Sequence, residues 1–193
     1  IGATMLVSSN GVSWRRWYLN IGNGLYDITS SSDLFVAVGD NGEVITSRGG
    51  EYWFRHAVTN EIWPGVVPRL NSVTWGGGMF VAVGRYGSVL TSADARNWRL
   101  YVPTAPWLPY LQGVAYGNGT FVAMGRNGAL AVSTNGLDWV AQATAFRNRD
   151  IEDLFFGEGL FVAVGEKGFV ATSPDGVVWT PRLSRCQNDL RGV

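Results

Sequence analysis

The residues best suited to recognise a ligand are arginines and tyrosines that directly follow a repeated apolar motif. Arg85 and Tyr86 come after one copy of this motif, and Arg126 and Asn127 come after the next. A guanidinium group is planar and always charged, so it can bind a carboxylate through two parallel hydrogen bonds. Lys167 is the only lysine among the 15 basic residues. This preference for arginine favours planar, bidentate contacts.

A second group of candidate binding residues lies in the longer connecting segments. Trp63 and Trp107 each lie close to prolines, and Arg147 and Arg149 belong to a later connector. A tryptophan in a proline-braced loop offers flat apolar area with little entropy to lose, which suits stacking on a sugar ring or anchoring a protein partner. The alternative is that both tryptophans fold back over neighbouring strands and that the polar residues only form turns.

The residue types give little support to catalysis or metal binding. His56 is the only histidine and is expected to be exposed on an outer strand, so a histidine-rich metal site or proton shuttle is nearly excluded. Asp27 and Asp153 occupy equivalent positions of the repeat. Near the central channel of the predicted ring, they could form a carboxylate pair or a weak cation site. The alternative is that they cap strand ends or bind water in the channel. The sequence therefore predicts no catalytic residue, no metal ion and no cofactor.

The apolar motif in front of these candidates is the main repeat of the chain. It reads Phe-Val-Ala-Val-Gly, with Met for the second Val in one copy, and its four copies lie within residues 34–39, 79–84, 120–125 and 160–165. Each copy is followed by a box that runs from a serine to a tryptophan. The box tryptophans are Trp14, Trp53, Trp98, Trp139 and Trp179. A period of about 40 residues without a helical pattern is typical of a β-propeller with four-stranded blades.

One repeat can be divided into its four strands. Residues 111–116 form the first strand, and residues 121–124 form the second, an apolar run typical of a strand buried on both faces. Residues 129–133 form the third strand, and the box leads into the fourth. Because the chain runs alternately out and back, the loops after the second strands share a face with the connectors between blades. Repeat proteins usually bind partners through the variable positions on such a face.

The two ends of the chain supply only part of one blade. Residues 1–14 match a third strand and its box, and residues 189–193 match a first strand. We expect them to share a blade that closes the ring and removes its open edges. No segment matches the second strand of this blade. Either the fifth blade has three strands or the chain is a piece of a longer one, and we favour the second alternative.

One box departs from the others. Ala95 stands where the other boxes have glycine, so that turn is expected to differ slightly.

At its boxes the sequence resembles the bacterial neuraminidase repeat and Asp-box propellers. The nearest likeness is to the subgroup with Phe-Val-Ala-Val-Gly followed by Ser-x-Asp-Gly-x-x-Trp, seen here at Ser173, Asp175, Gly176 and Trp179. That subgroup includes photosystem II assembly-factor propellers and many uncharacterised exported bacterial proteins. The resemblance implies a propeller and export to the periplasm or cell exterior. It implies no single function, because sialidases, lectin-like modules and scaffolds share these boxes as structural turns.

Composition narrows the classes of partner. The chain has 193 residues, 46% of them apolar and 16% charged, with a formal net charge of zero. This balance does not favour nucleic acid or a membrane surface, and no apolar run approaches the roughly 18 residues of a spanning helix. We therefore expect a single all-β domain over residues 1–193, a five-bladed propeller or a five-repeat part of a larger one.

The favoured function is non-catalytic binding of a protein or carbohydrate partner through the loop face. The first alternative is a sialidase-type glycoside hydrolase, which would use Arg85, Arg126 and Arg147 to bind a substrate carboxylate. The repeat places no glutamate beside Tyr86, which such an enzyme needs. The second alternative is an assembly factor for a membrane protein complex.

Overall fold

The computed structural model describes residues 3–56, 58, 68–101 and 110–193, which form an all-β architecture. The strands in chain order are β1 Thr4–Val7, β2 Arg15–Tyr18, β3 Leu25–Ser30, β4 Phe35–Gly39, β5 Val44–Ser47, β6 Phe54–His56, β7 Leu70–Gly76, β8 Met79–Gly84, β9 Val89–Ser92, β10 Arg99–Tyr101, β11 Leu111–Gly117, β12 Thr120–Gly125, β13 Leu130–Ser133, β14 Val140–Gln142, β15 Ile151–Gly157, β16 Leu160–Gly165, β17 Phe169–Ser173 and β18 Thr180–Arg182. Short 3-10 turns follow three second strands, at Asp40–Gly42, Arg126–Gly128 and Glu166–Gly168. Within those ranges, no helix has the length and apolar character needed to cross a bilayer.

The strands assemble into four complete blades and one partial blade. Each complete blade is a four-stranded antiparallel sheet in sequence order: β3–β6 form the first blade, β7–β10 the second, β11–β14 the third and β15–β18 the fourth. In the described part of the chain, β1 and β2 pair only with each other. We call this two-stranded sheet the terminal ribbon. The predicted four-stranded repeat is therefore confirmed.

The second strand of each blade is buried because it lies between neighbouring blades. Val36 and Val38 of the first blade share one apolar cluster with Leu70 and Phe80 of the second. Successive side chains of a strand point to opposite faces, so a continuous apolar run can pack against both neighbours. Similar layers lie between the second and third blades and between the third and fourth. The core is thus a series of layers between blades.

The glycine that ends each copy of the apolar motif is required by close packing within its blade. A Cβ atom on Gly125 would lie 1.9 Å from the carbonyl oxygen of Tyr110, which directly precedes the first strand. Gly39, Gly84 and Gly165 face the equivalent carbonyl of their own blades in the same way. The φ angle of Gly125 is −173°, which any residue can adopt. Lack of space therefore excludes a side chain here, and backbone conformation does not.

The five boxes are tight turns closed by their tryptophan and serine side chains. In every box the tryptophan Nε1–H donates to the carbonyl oxygen three residues earlier, at 2.8–3.2 Å. The box of Ala95 keeps this bond from Trp98, because Ala95 adopts a left-handed φ of 57° as a glycine would. Ser92 Oγ accepts from the Asp94 amide at 3.4 Å. The change expected at this turn is therefore small and does not alter its path.

We predict that the Asp175 carboxylate makes the box of the fourth blade sensitive to acid. Its Oδ1 accepts the amide hydrogens of Val178 and Val177 at 2.9 Å each, and these bonds lower the pKa of Asp175 below its usual 3.8. A carboxyl group whose pKa is lower in the folded state stabilises that state above its unfolded pKa, and this contribution disappears as pH falls through the folded pKa. Asp175→Asn should keep the turn, because Asn135 makes the same contacts in the third blade.

The measurement is the unfolding temperature by scanning fluorimetry between about pH 5 and pH 2. Asp175→Asn should lose less stability than the wild type on acidification, whereas the exposed control Glu158→Gln should follow the wild type. An equal loss in wild type and Asp175→Asn would contradict the assignment.

The terminal segments occupy places in a fifth blade without completing it. The terminal ribbon and the box between its strands match the expected third strand, box and fourth strand. Residues 189–193 do not form the predicted first strand. Leu190 N nevertheless donates to Gly165 O at 3.0 Å, and Val193 N donates to Asp153 Oδ2 at 2.9 Å. A strand requires a hydrogen-bonded neighbour, and no second strand lies beside this segment in the described chain.

Candidate functional site

The loops after the second strands and the connectors between blades lie on one face of the protein, which we call the connector face. Gly42 N donates to Pro68 O at 2.9 Å, and Gly128 N donates to Arg149 O at 2.7 Å. Each bond joins the loop of one blade to the connector that enters the next. The variable residues of different repeats therefore lie on a common surface, as the strand order predicts.

The connector face carries two arginines and two tyrosines that we call the Tyr110 cluster: Arg85, Tyr86, Tyr110 and Arg126. The guanidinium carbons of Arg126 and Arg85 lie 5.0 and 5.8 Å from the centroid of the Tyr110 ring. The ring centroids of Tyr86 and Tyr110 are 6.1 Å apart. A cation within about 6 Å of an aromatic centroid is attracted to the ring face. Tyr110 thus brings two cations from neighbouring blades to one aromatic surface.

Backbone contacts hold the Tyr110 cluster in place. Arg85 and Tyr110 form an isolated antiparallel bridge, and Arg126 N donates to Tyr110 O at 3.0 Å. Tyr86 has a left-handed φ of 60°, and Asn127 has a φ of 54° at the same place in its own loop. Asparagine adopts this conformation readily, whereas a bulky side chain there stores strain of about 1 kcal/mol or more. Local backbone preference therefore does not explain a tyrosine at this position.

The two arginines of the cluster differ in how far their charge is compensated. Arg126 Nε lies 3.7 Å from Asp150 Oδ2, and Asp150 Oδ1 also accepts the amide hydrogen of Asn127 at 2.9 Å. Arg85 is exposed, and within the described ranges no carboxylate oxygen lies within 4.0 Å of its guanidinium nitrogens. The cluster therefore presents positive charge beside an aromatic ring.

Arg69 and Tyr26 form a further cation–aromatic pair that the sequence analysis missed. The Arg69 guanidinium carbon lies 3.6 Å from the Tyr26 centroid, and the Tyr26 hydroxyl donates to Asp40 Oδ2 at 2.7 Å. This hydrogen bond is the main cause that raises the pKa of Tyr26 above its usual 10.0, and burial adds to it. The hydroxyl therefore remains protonated at neutral pH and acts as a donor.

Tyr26 also belongs to a set of polar residues at β-bulges. The register shifts at the second residue of every first strand, and the residues there are Tyr26, Asn71, Gln112 and Glu152. Asn71 Nδ2 donates to Gln112 Oε1 at 2.8 Å, and Gln112 Nε2 donates to Glu152 Oε2 at 3.4 Å. A bulge redirects the side chain of the extra residue, so this row crosses three blades. A polar residue recurs at this position of each first strand, and this recurrence is the pattern from which the row could have been predicted.

The other predicted binding residues lie in the connector between the third and fourth blades or outside the described residues. The Arg149 guanidinium carbon lies 5.4 Å from the Phe169 centroid in the fourth blade. Arg147 is exposed in the same connector. Trp63 and Trp107 lie outside the described residues, so their proposed role in binding stays a prediction.

Asp27 and Asp153 accept hydrogen bonds from the segment that follows each of their blades. Asp27 Oδ2 accepts from Ser72 Oγ and from the Val73 amide at 2.8 Å each, and Asp153 Oδ2 accepts from the Val193 amide. Burial raises the pKa of Asp27 above its usual 3.8, and these hydrogen bonds oppose that shift. In the described part of the chain, no three or more His, Cys, Asp or Glu residues are close enough to hold a metal ion. The contacts favour a structural role that differs in detail from the predicted caps or water ligands: Asp27 joins the first blade to the second, and Asp153 holds the C-terminal segment.

His56 is less exposed than its place on an outer strand predicts. It is half-buried, and its Nε2 lies 2.8 Å from Thr46 Oγ1 on the neighbouring strand. Burial and, to a smaller extent, the nearby charge of Arg96 lower the pKa of His56 below its usual 6.5. The expectation of a solvent-exposed histidine is therefore wrong, because the pair with Thr46 holds the ring against the sheet.

Comparison with known proteins places the chain among β-propellers. No family model and no curated protein sequence matches it. Solved structures do match: YCF48 bound to D1 peptide has 23% identity and a TM-score of 0.70 over 90% of this chain and 58% of that one. YCF48 from Cyanidioschyzon merolae has 23% identity and a TM-score of 0.66 over 84% of this chain and 57% of that one. A streptogramin B lyase has 13% identity and a TM-score of 0.81 over 98% of this chain and 65% of that one.

The comparisons show how much of each matched protein the chain covers and which fold it shares with them. The chain spans 58%, 57% and 65% of the length of the three proteins that it matches. YCF48 and a streptogramin B lyase both align with it at low sequence identity, and this similarity shows the fold alone. The all-β architecture and the blades described above are therefore those of a β-propeller.

Proposed function

We propose that the connector face is a non-catalytic binding surface for a protein partner, and that the Tyr110 cluster binds a carboxylate on an extended segment of this partner. The observation that carries the proposal is the position of Arg85 and Arg126 beside the half-buried Tyr110 ring, with their guanidinium carbons 5.8 and 5.0 Å from its centroid. Two guanidinium groups beside one aromatic surface can bind the two oxygens of a carboxylate and stack on a planar or apolar neighbour.

The backbone geometry supports a site that is largely formed before the partner binds. The bridge between Arg85 and Tyr110 and the bond from Arg126 N to Tyr110 O fix three of the four residues in the cluster. A preformed site loses less conformational entropy on binding, so more of its contact energy appears as affinity. The left-handed backbone of Tyr86 is consistent with a residue kept for its contacts.

The comparisons add support for a protein ligand. The YCF48 structure that covers 90% of this chain contains a D1 peptide, so a propeller of this shape can bind a peptide. We extend the proposed surface to Asn127, Arg147 and Arg149, which lie in neighbouring loops and connectors. Trp63 and Trp107 belong to the connectors of the same repeats, and we propose them as apolar anchors at its border.

We predict that Arg85→Ala combined with Arg126→Ala lowers the affinity for an acidic peptide about 100-fold, because two charge-assisted contacts are lost. The probe is a fluorescein-labelled decapeptide of alternating Glu and Ala with a free carboxyl terminus, titrated by fluorescence anisotropy. Arg85→Lys combined with Arg126→Lys should retain part of the affinity, because the charge remains while the planar fork is lost. Affinity should also fall as salt rises from about 20 to 200 mM.

Matched controls separate this site from general charge. Arg16→Ala removes an exposed arginine of the terminal ribbon and should leave the affinity unchanged. A peptide with Gln in place of Glu and an amidated terminus should not bind. Equal binding by the wild type and the double alanine variant would contradict the proposal. Turnover of a fluorogenic sialoside that Arg85→Ala abolishes would support the glycosidase alternative instead.

A further inference from the structure

Three positions of each complete blade meet on the connector face. The residue before the first strand accepts a backbone hydrogen bond, at 2.9–3.1 Å, from the first residue of the loop after the second strand. The β-bulge residue lies two positions after the residue that accepts this bond. From the second blade to the fourth, these positions hold Arg69, Asn71 and Arg85, then Tyr110, Gln112 and Arg126, then Asp150, Glu152 and Glu166. The formal charge therefore changes from positive on the second and third blades to negative on the fourth.

Hydrogen bonds in a single direction join the positive and negative parts of this face. Arg69 Nε donates to Asn71 Oδ1 at 2.9 Å, and Asn71 Nδ2 donates to Gln112 Oε1 at 2.8 Å. Gln112 Nε2 in turn donates to Glu152 Oε2 at 3.4 Å. We call these four residues the bulge row. A guanidinium group only donates and a carboxylate only accepts, so the two ends fix the direction of the bonds between them. Such a chain polarises its members, which favours one arrangement of the side chains.

The two ends of the bulge row carry charges without a counter-ion among the described residues. Over those ranges, no carboxylate oxygen lies within 4.0 Å of the Arg69 guanidinium nitrogens, and no Lys, Arg or His nitrogen lies that close to the Glu152 carboxylate. Asp150 of the same blade differs, because it lies beside Arg126. Arg69 and Glu152 are both half-buried, so solvent screens their charges less than it screens an exposed charge. Each end is therefore suited to bind an opposite charge.

Gln112, in the middle of the bulge row, keeps unused hydrogen-bonding capacity. A side-chain amide has two N–H donors and an oxygen with two lone pairs. In the contacts of the described chain, Gln112 uses one N–H for Glu152 and one lone pair for Asn71. The remaining N–H and lone pair match the carbonyl and amide of a peptide group. The row thus offers a positive end, a middle that can pair with a peptide backbone and a negative end.

We infer that the bulge row extends the surface of the Tyr110 cluster and selects a partner segment that carries both a carboxylate and a basic side chain. The inference rests on the proposed function, because the carboxylate is the one bound by Arg85 and Arg126. Arg69 adds a guanidinium group at this end, since its carbonyl oxygen accepts from the Arg85 amide at 3.0 Å. At the other end the Glu152 carboxylate binds a lysine or arginine of the segment. Gln112 pairs with the peptide backbone between them.

The spacing of the blades determines the spacing of the two charges in the partner. The third blade lies between the second and the fourth, so the segment must cross one whole blade between its carboxylate and its basic side chain. Alternate side chains of an extended segment point to the same face, and each residue adds about 3.3 Å. A separation of four residues, roughly 13 Å, therefore directs both charged side chains towards the protein.

The test compares two fluorescein-labelled peptides, titrated by anisotropy against the whole protein. The mixed-charge peptide is Ala-Ala-Lys-Ala-Ala-Ala-Glu with a free carboxyl terminus, and the reference peptide has Gln in place of Lys. We expect the wild type to bind the mixed-charge peptide at least about fivefold more tightly, because the lysine gains a charge-assisted contact with a half-buried carboxylate. General attraction to the arginines would favour the more acidic reference peptide, so overall charge does not produce this preference.

Glu152→Gln should abolish the preference and leave the affinity for the reference peptide unchanged. Glutamine has nearly the same shape and keeps an oxygen that accepts from Gln112, and circular dichroism checks that the variant stays folded. Glu158→Gln is the matched control, because it removes an exposed carboxylate from the hairpin turn of the same blade. This variant should keep the full preference.

The double variant Arg85→Ala with Arg126→Ala separates the inference from the proposed function. It should weaken the binding of both peptides. If it does so, yet the wild type binds both peptides equally, the inference is overturned and the proposed function stands. A lysine preference that persists in Glu152→Gln would overturn the inference too, because the basic side chain would then bind elsewhere. If the double variant weakens neither peptide, the proposed function fails and the inference fails with it.

Discussion

Gly125→Ala is expected to destabilise the folded protein by about 3 kcal/mol or more, because the added methyl group has no space. Its Cβ would lie 1.9 Å from Tyr110 O and 2.8 Å from Leu111 Cα, and both are backbone atoms of the same blade. A flexible side chain could move aside, whereas these atoms belong to the ladder between β11 and β12. Urea unfolding followed by tryptophan fluorescence measures the change.

The same variant should also disturb the Tyr110 cluster. Arg126 follows Gly125, and its amide donates to the carbonyl oxygen of Tyr110 that the new methyl group would push away. Gly22→Ala is the matched control, because no atom outside its immediate neighbours lies within 4 Å of the new Cβ and its φ is not left-handed. Stability of Gly125→Ala within about 0.5 kcal/mol of the control would show that the close contact is not rigid.

Arg55→Ala is expected to cost about 2–3 kcal/mol of stability, because it leaves the carboxylate of Glu43 buried without its cation. The Glu43 side chain is fully buried, and its Oε1 lies 2.6 Å from Arg55 Nε in an ion-pair contact. Its Oε2 accepts from Arg55 Nη2 at 2.7 Å and from Asn23 Nδ2 at 2.6 Å. Arg55 itself is largely exposed, so water can enter after its removal and the cost stays below that of a fully enclosed pair.

A double-mutant cycle isolates this ion pair. Glu43→Ala with Arg55→Ala should be more stable than Arg55→Ala alone, because the charge without a partner is gone and the third blade carries Ala129 at the equivalent position. Arg48→Ala breaks the exposed pair with Asp33 and should cost less than about 1 kcal/mol. Additive effects of the two substitutions in the cycle would rule out a coupled pair.

The fold could be predicted from the sequence because the same pattern of apolar motif and box recurs along the chain. Four copies of the apolar motif and five boxes mark the strands and turns at a period of about 40 residues, so an ambiguous segment in one copy can be assigned from the others. The order of strands then placed Arg85 and Arg126 on one face without any knowledge of contacts. The difference expected at Ala95 does not change the path of the turn, because Ala95 adopts the left-handed angle that glycine would.

The composition of the site depended on contacts that no local pattern records. Tyr110 is the ring beside both arginines: strand pairing within the third blade brings it to Arg126, and a bridge to the second blade brings it to Arg85. Arg69 was overlooked because its partner Tyr26 lies in the preceding repeat. The exposure of His56 was misjudged because a hydrogen bond across two strands cannot be read from an alternation of apolar and polar residues.

The sequence by itself determined the blades, the boxes and the face on which the variable residues meet, because these depend on short-range periodicity and on turn chemistry. The tertiary structure alone decided which charged side chains meet which rings and which segments the carboxylates of Asp27 and Asp153 hold. Those features depend on contacts between residues that are far apart in the chain, such as Asp27 and Ser72, which are 45 positions apart.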